Sequence, residues 1–325
     1  MGLGYKMLAA FAAVSVLMSA PDMARAADTY PDKPVRLIIP FTPGGGADTV
    51  GRLIAHRLSE RLGRQMVVDN RGGAGGVIGT DLVAKAAADG YTLAFVPASF
   101  TMQPALQPLP YDPVKSFAPV SRVGKGAFVL VVTASVPAHT LKAFIAHAKQ
   151  NPGKLFFGTA GAGSSAHLFI ELFKMMAQID FTPVHFKGGN QQVIDLLGGH
   201  SQGTMISLPA VRPHIASGRL RALAVTTAQR SAFLPDVPGI AEAGVPGYDT
   251  SVWWGILAPA GTPASVVRKL NDEIRGVLTL EDVKQAFSRQ GVEPDYHDTS
   301  AFRPFIAAEM ARWMAVVKKG NIRLQ

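Results

Sequence analysis

The sequence has 325 residues, 32 Lys and Arg against 23 Asp and Glu for a net charge of +9, and no cysteine. The missing cysteine excludes disulfides, thiolate metal sites, a Cys nucleophile and the lipid-bearing Cys of a bacterial lipoprotein. The basic residues are scattered singly, with no Lys/Arg run interleaved with aromatics, which argues against nucleic acid and for long-range attraction of anionic solutes; a soluble surface that is merely basic is the alternative.

Residues 1–26 read as a cleavable secretory signal: Lys6 gives a positive start, Met7 to Ala20 is apolar, and Ala24-Arg25-Ala26 supplies the small-x-small cleavage pattern. The mature chain then begins at Ala27 in the periplasm, and losing Lys6, Arg25 and Asp22 leaves a charge of +8. The apolar stretch of about 14 residues is short for a spanning helix, which needs about 20. A membrane anchor is the competing reading. The remaining 299 residues favour two domains over one core.

From there the chain alternates. Val35 to Phe41 is a β-branched, apolar strand, Thr42 to Gly46 a turn, and Val50, Leu53, Ile54, Arg57 and Leu58 follow at helical spacing. Met66 to Asp69 predicts a second strand, Gly72 to Gly79 a glycine-rich entry to a helix through Ala84, and Tyr91 to Val96 a third strand. Such alternation predicts a parallel sheet with helices on both faces. Pro108 to Pro119, with four prolines, breaks the rhythm, and Ala127 to Thr133 reads as a buried strand just past a first domain crossing. A second series follows: strand Leu155 to Thr159, helix Ser165 to Ala177, strand Thr182 to Phe186, helix Gln191 to Leu197 and strand Leu220 to Thr226. Trp253 to Ala258 and the turn Pro259 to Pro263 make the return crossing into a helix Ala264 to Leu278. The predicted organisation is an α/β chain of two parallel-sheet domains, 27–122 with 252–325 and 123–251, joined by a two-crossing hinge.

Two glycine-rich loops carry the candidate site. Pro43 to Thr49 leaves a strand and enters a helix, so its amides point outward at the positive end of a helix dipole and suit an anion, with Asp48 as the N-cap that fixes the loop. A tight turn with no ligand is the alternative. Gly158 to His167 repeats the arrangement in the second half; Ser164 or Ser165 can cap the helix while its backbone N–H, with that of Gly163, reaches the ligand. His167, in the first helical turn, is a solvated or capping residue before it is a catalytic one. Ligands of open α/β sheets collect at the carboxyl ends of the strands, where both loops lie.

Tyr30 to Arg36, the Pro40-Phe41-x-Pro43-Gly44-Gly45-x-x-Asp48 loop, Val68-Asp69-Asn70-Arg71-x-Gly73-Ala74-Gly75-Gly76, Leu109-Pro110-Tyr111-Asp112 and Ala258 to Pro263 together resemble the tripartite tricarboxylate transporter substrate-binding (Bug) proteins over nearly the whole mature chain. The resemblance implies a type II periplasmic-binding fold and no catalysis. It also implies a carboxylate held by backbone amides and bridging waters at Thr42, Gly44, Gly45, Gly46 and Asp48, and at Thr159, Ala160, Gly161 and Ser164. The implied partners are the membrane permease subunits of such a transporter, and the chain is read as a monomer without cofactor or metal. After Leu197-Gly198-Gly199 the family usually carries a Gly-Gln-Val-Asp type of segment and often a further acid, where this chain has Gln202 and Ile206. An ammonium would lack a counter-charge, which favours di- or tricarboxylates or aromatic acids over amino acids. Ser99, Phe100, Phe186, Lys187 and Trp253 are candidate walls, though each aromatic suits the core as well.

Two motifs point elsewhere. Gly199-His200-Ser201-Gln202-Gly203 matches the esterase elbow G-x-S-x-G, with His214 or His297 downstream, but the elbow needs a strand before the Ser and a helix after it, and the spacing here predicts the reverse. Gly161 to Ala166 fits a relaxed dinucleotide fingerprint, yet Lys187 stands where the ribose-binding acid belongs. The eight histidines are isolated, with no metal-binding spacing.

Overall fold

Strand β1 (Val35–Ile39) forms because four of its five residues are β-branched or apolar and tolerate burial on both faces, and Pro40 ends it. In this computed structural model, which describes residues 30–323, it leads into α1 (Gly46–Leu62), β2 (Met66–Asn70), α2 (Val77–Ala84), β3 (Thr92–Pro97) and α3 (Ser99–Leu106). The signal sequence lies outside the described residues. Strand β4 (Phe117–Gly126) then runs almost directly into β5 (Phe128–Thr133), and α4 (Leu141–Gln150), β6 (Phe156–Thr159), α5 (Ser165–Ala177), β7 (Thr182–His185), α6 (Gly189–Leu197), β8 (Gly203–Ser207), α7 (Leu208–Ala216) and β9 (Leu220–Val225) follow. The chain returns through β10 (Val252–Pro259) and closes with α8 (Ala264–Thr279), α9 (Glu281–Arg289), β11 (Val292–His297) and α10 (Thr299–Gly320).

The strands make a six-stranded sheet in the order β11-β4-β10-β3-β1-β2 and a five-stranded sheet in the order β7-β6-β8-β5-β9. Both are mixed rather than parallel. β1 is parallel to β2 and β3, and β6 to β7 and β8, because a helix carries the chain back over the sheet between them. β10 runs antiparallel to β3 and β4, and β5 antiparallel to β8 and β9. These are the strands on which the chain passes between the sheets, and no crossover helix resets their direction. Pro119, inside β4, sits where the register with β10 shifts, which spares the ladder a missing donor.

The core of the first sheet is built on Leu37, Ile38, Ile39, Phe95, Ile256 and Leu257, that of the second on Leu130, Val132, Phe157 and Met205. Helix α10 ties the two together: Phe302 edges against Trp253 of β10, and Trp313 stacks on Phe169 of α5 at 5.8 Å between ring centroids. Packing of this density leaves no room beside Gly203, where a Cβ would fall 2.5 Å from Cζ of Phe157. That ring is itself stacked on Phe181 at 4.0 Å and cannot retreat. Gly203→Ala is expected to cost about 2 kcal/mol by overpacking, read as a lower urea midpoint at unchanged slope.

Candidate functional site

The first loop ends in a helix without a side-chain cap. Gly45 occupies the N-cap position of α1 with extended backbone (φ −81°, ψ 170°), and no side chain accepts from the first turn. The N–H groups of Gly45, Gly46 and Ala47 have no acceptor among the described residues, while the helix dipole adds partial positive charge at the same place. Gly44, at φ +85°, makes the turn that aims them. Asp48 is not the N-cap. It lies one turn further in, 5% exposed, and reaches back to accept from Gly44 N–H (3.0 Å), Arg52 Nε (3.0 Å) and Asn70 Nδ2 (2.9 Å). Burial opposes its ionisation, but the bonds from Arg52, Gly44 and Asn70 outweigh that and hold the carboxyl below its ordinary value. Asn70 also donates to Phe41 O (3.0 Å), so Asp48, Arg52 and Asn70 form the brace under the loop.

The second loop is wired differently. Ser164 caps α5, its hydroxyl accepting from His167 N–H at 3.3 Å. The amides expected to face outward are spent inside the loop: Gly163 N–H donates to His167 Nδ1 (3.1 Å), and Ser164 N–H to Gly161 O (3.1 Å). Those without an acceptor among the described residues are Ala160, Ala162, Ser165 and Ala166. His167 is buried, neither solvated nor the cap. Because Nδ1 accepts, its proton sits on Nε2. Burial, with His185 at 4.6 Å between centroids and Lys174 beyond it, pushes its pKa down to about 4. Thr159, fully buried, bonds His185 Nδ1 (2.7 Å) and accepts from Gly161 N–H (3.3 Å).

The first loop comes close to the turn from β7 into α6. A Cβ on Gly188 would stand 3.2 Å from Thr42 Oγ1, and one on Gly44 would stand 3.4 Å from Asn190 Nδ2. Ser99, the first residue of α3, is buried and lines a small cavity behind the first loop with Phe41, Thr80, Phe100, Gln103 and Tyr111. Lys187 is not brought in as a wall: its side chain is exposed and its N–H is taken by Gln191 Oε1 (3.1 Å). Of the two adjacent tryptophans, Trp253 is core, packed on Phe302 and Phe305, whereas Trp254 reaches to 3.8 Å from the Cβ position of Gly46. Strand alternation sends neighbours to opposite faces, and the side facing the start of α1 belongs to Trp254. Sequence reasoning missed Arg52, Asn70, Gln103 and Trp254; only Asn70, inside the Val68 to Gly76 motif, left a signal there.

Ser201 sits between the end of α6 and the start of β8, a helix before it and a strand after it. Its hydroxyl donates to Asp195, and it is 1% exposed, so it is no nucleophile on an open elbow.

A family model described as "Tripartite tricarboxylate transporter family receptor" matches residues 50–322. The chain belongs to this family. Protein BugT of Bordetella pertussis is 41% identical to the receptor over 302 residues, 92% of this chain and 93% of that one. The structure of Rpa4515 of R. palustris with adipate superposes with a TM-score of 0.86 at 39% identity, covering 90% of the receptor and 99% of that chain. MatC of Rhodopseudomonas palustris with bound malate gives 0.83 at 30% identity, covering 89% and 100%. The receptor has the fold of these periplasmic binding proteins and binds rather than transforms its solute. No helix among the described residues is long and apolar enough to cross a membrane.

Proposed function

We propose that the receptor works in the periplasm after losing residues 1–26, captures a small di- or tricarboxylate or aromatic acid between two lobes, and delivers it as a monomer to the permease subunits of a tripartite tricarboxylate transporter. The lobes are 27–122 with 252–325, and 123–251. What supports this reading is a pair of strand-to-helix loops that leave amides unspent, those of Gly45, Gly46 and Ala47 on one side and Ala160, Ala162, Ser165 and Ala166 on the other, with the first loop lying close to the turn into α6; we read these amides as opening on one cleft. Thr42, Gly44, Ser99, Thr159, Gly161 and Ser164 shape it, and Asp48 and His167 hold the loops from beneath. The adipate and malate carried by the two relatives have the same chemistry. An α-amino group finds no acid where the family often has one: Ile206 is there, its Cδ1 at 3.9 Å from the Cβ position of Gly189 at the start of α6.

Closure supplies the energy of capture. A carboxylate docked on one loop gains the second loop's donors only when the lobes meet, so the closed state is favoured by that difference. Charge-assisted bonds of roughly 1.5 to 3 kcal/mol each bring a micromolar affinity, about −8 kcal/mol, within reach of a few contacts. Calorimetry on the chain from Ala27 onward, unfolded and refolded to strip carried-over solute, tests the reading against adipate, malate, citrate and benzoate. One-to-one micromolar binding of one acid, unchanged by Ser201→Ala, is expected. No heat from any of them would sink it.

A further inference from the structure

Gln103 stands on the first lobe, in helix α3, yet its side-chain amide is shared by both lobes. Its Nε2 donates to Gly75 O (3.1 Å) in the glycine-rich segment after β2, and to Gly163 O (3.0 Å) in the second loop. Its Oε1 accepts from Gln107 Nε2 at 2.8 Å, so the amide cannot rotate without losing a third bond. The side chain is 2% exposed. Both amide protons are therefore used, one on each lobe, in a place closed to water.

The surroundings are shaped for this one group. Gly163 has φ +73°, and a Cβ there would come 2.7 Å from Nε2; a Cβ on Gly75, at φ +64°, would overlap the same atom and lie 3.3 Å from Ala162 O. Two glycines in left-handed backbone thus let one side chain lie between carbonyls that belong to different lobes. Two further cross-cleft approaches, Thr42 to Gly188 and Gly44 to Asn190, are near van der Waals contact without a hydrogen bond between them. On opening, Gly163 O leaves Gln103 and must find water, and one amide proton does the same. That exchange costs little for each group in water but removes a bond made in a dry place.

We propose that Gln103 is a positioning residue that latches the lobes shut through Gly163, setting how much of the ligand-free receptor is already closed and hence how strongly any solute is held. This rests on the reading that the two lobes move. A solute's apparent affinity scales with the closed fraction available to it, so a latch acts on every ligand alike without touching one.

The chain has no cysteine, so a spin-label pair can be placed without background. Leu82 on α2 and Ile194 on α6 are exposed, and both helices start from segments beside the cleft. Double electron-electron resonance between labels at Leu82→Cys and Ile194→Cys, on refolded ligand-free protein, reads the ratio of short to long distances. Gln103→Met keeps the size of the side chain and removes both donors; it is expected to lower the closed-to-open ratio at least tenfold, with a somewhat lower urea midpoint because Gly75 O loses its donor as well. Gly163→Ala, which pushes the amide aside from the other lobe, is expected to shift the ratio the same way and serves if the first variant fails to fold. A parent that changes distance with adipate or malate while both variants match it would overturn the latch alone. A parent wholly open without ligand overturns it too. One identical distance in every variant, with and without these acids, would retire lobe motion itself.

Discussion

Asp48→Ala is expected to cost about 2 kcal/mol of stability and to weaken carboxylate binding at least tenfold, although Asp48 has no free oxygen to offer a solute. The carboxylate is 5% exposed and accepts from a backbone amide, a guanidinium and a side-chain amide. Its removal leaves Gly44 N–H and one Asn70 Nδ2 proton short of an acceptor in a part-buried site, where water recovers some of the roughly 1 to 3 kcal/mol that a fully buried unsatisfied donor costs. Arg52 is half exposed and recovers much of its loss from water, so its share is discounted. The effect on binding is geometric. Gly44 is the turn that aims the amides of Gly45 to Ala47, and without its bond to Asp48 the anion site must be ordered at the ligand's expense. Urea unfolding and calorimetry of the variant measure the two effects; full affinity in a destabilised protein would separate the brace from the site.

The second large effect is a loss of stability in mild acid through His167. Its pKa is pushed down to about 4 by burial and by the neighbouring His185 and Lys174. An unfolded histidine titrates near 6.5, so between about pH 6.5 and 4 the unfolded chain binds the proton that the folded chain refuses, and stability falls as pH falls. Above that window the contribution is complete; below it the loss is complete, at about 3 kcal/mol. His185, also held below its ordinary value by burial, adds in the same direction. Urea midpoints of the parent and of His167→Gln, taken at pH 7 and pH 4.5, isolate the share of His167, because the lowered carboxylates such as Asp48 and Asp69 are common to both proteins. The variant should show the flatter profile. Parallel profiles would mean that His167 titrates normally in the folded state.

Much of the architecture was legible from local pattern. The β-branched runs at Val35 and Leu220 and the apolar helical spacing of Ser165 to Ala177 each mark an element that forms where expected. Elements were lost where a local signal meant something else in context. Pro209 reads as the end of a strand but starts α7, where proline in the first helical turn is favoured. The proline-rich stretch before Pro119 hides β4, a ten-residue strand between β10 and β11 that tolerates proline at a shift in register. Pro104 interrupts the helical pattern of α3, which hides both the helix and Gln103 in the sequence.

For the candidate site the division is sharper. The amino-acid sequence by itself determined that two glycine-rich loops would each follow a strand and enter a helix, because turn chemistry and helix entry are settled by neighbouring residues. It also determined the absence of thiol chemistry and the inverted context of Ser201. Only the tertiary structure decided which amides remain unspent, that Asp48 and His167 serve the loops from beneath, that Trp254 and not Trp253 faces the α1 terminus, and that Gln103 reaches both Gly75 and the second loop. The Asn70 arm of the Asp48 brace, the approach of Trp254 to α1 and the reach of Gln103 are contacts between groups far apart in sequence, 60 residues for Gln103 and Gly163, and such partners are chosen by how the sheets pack, not by any local pattern.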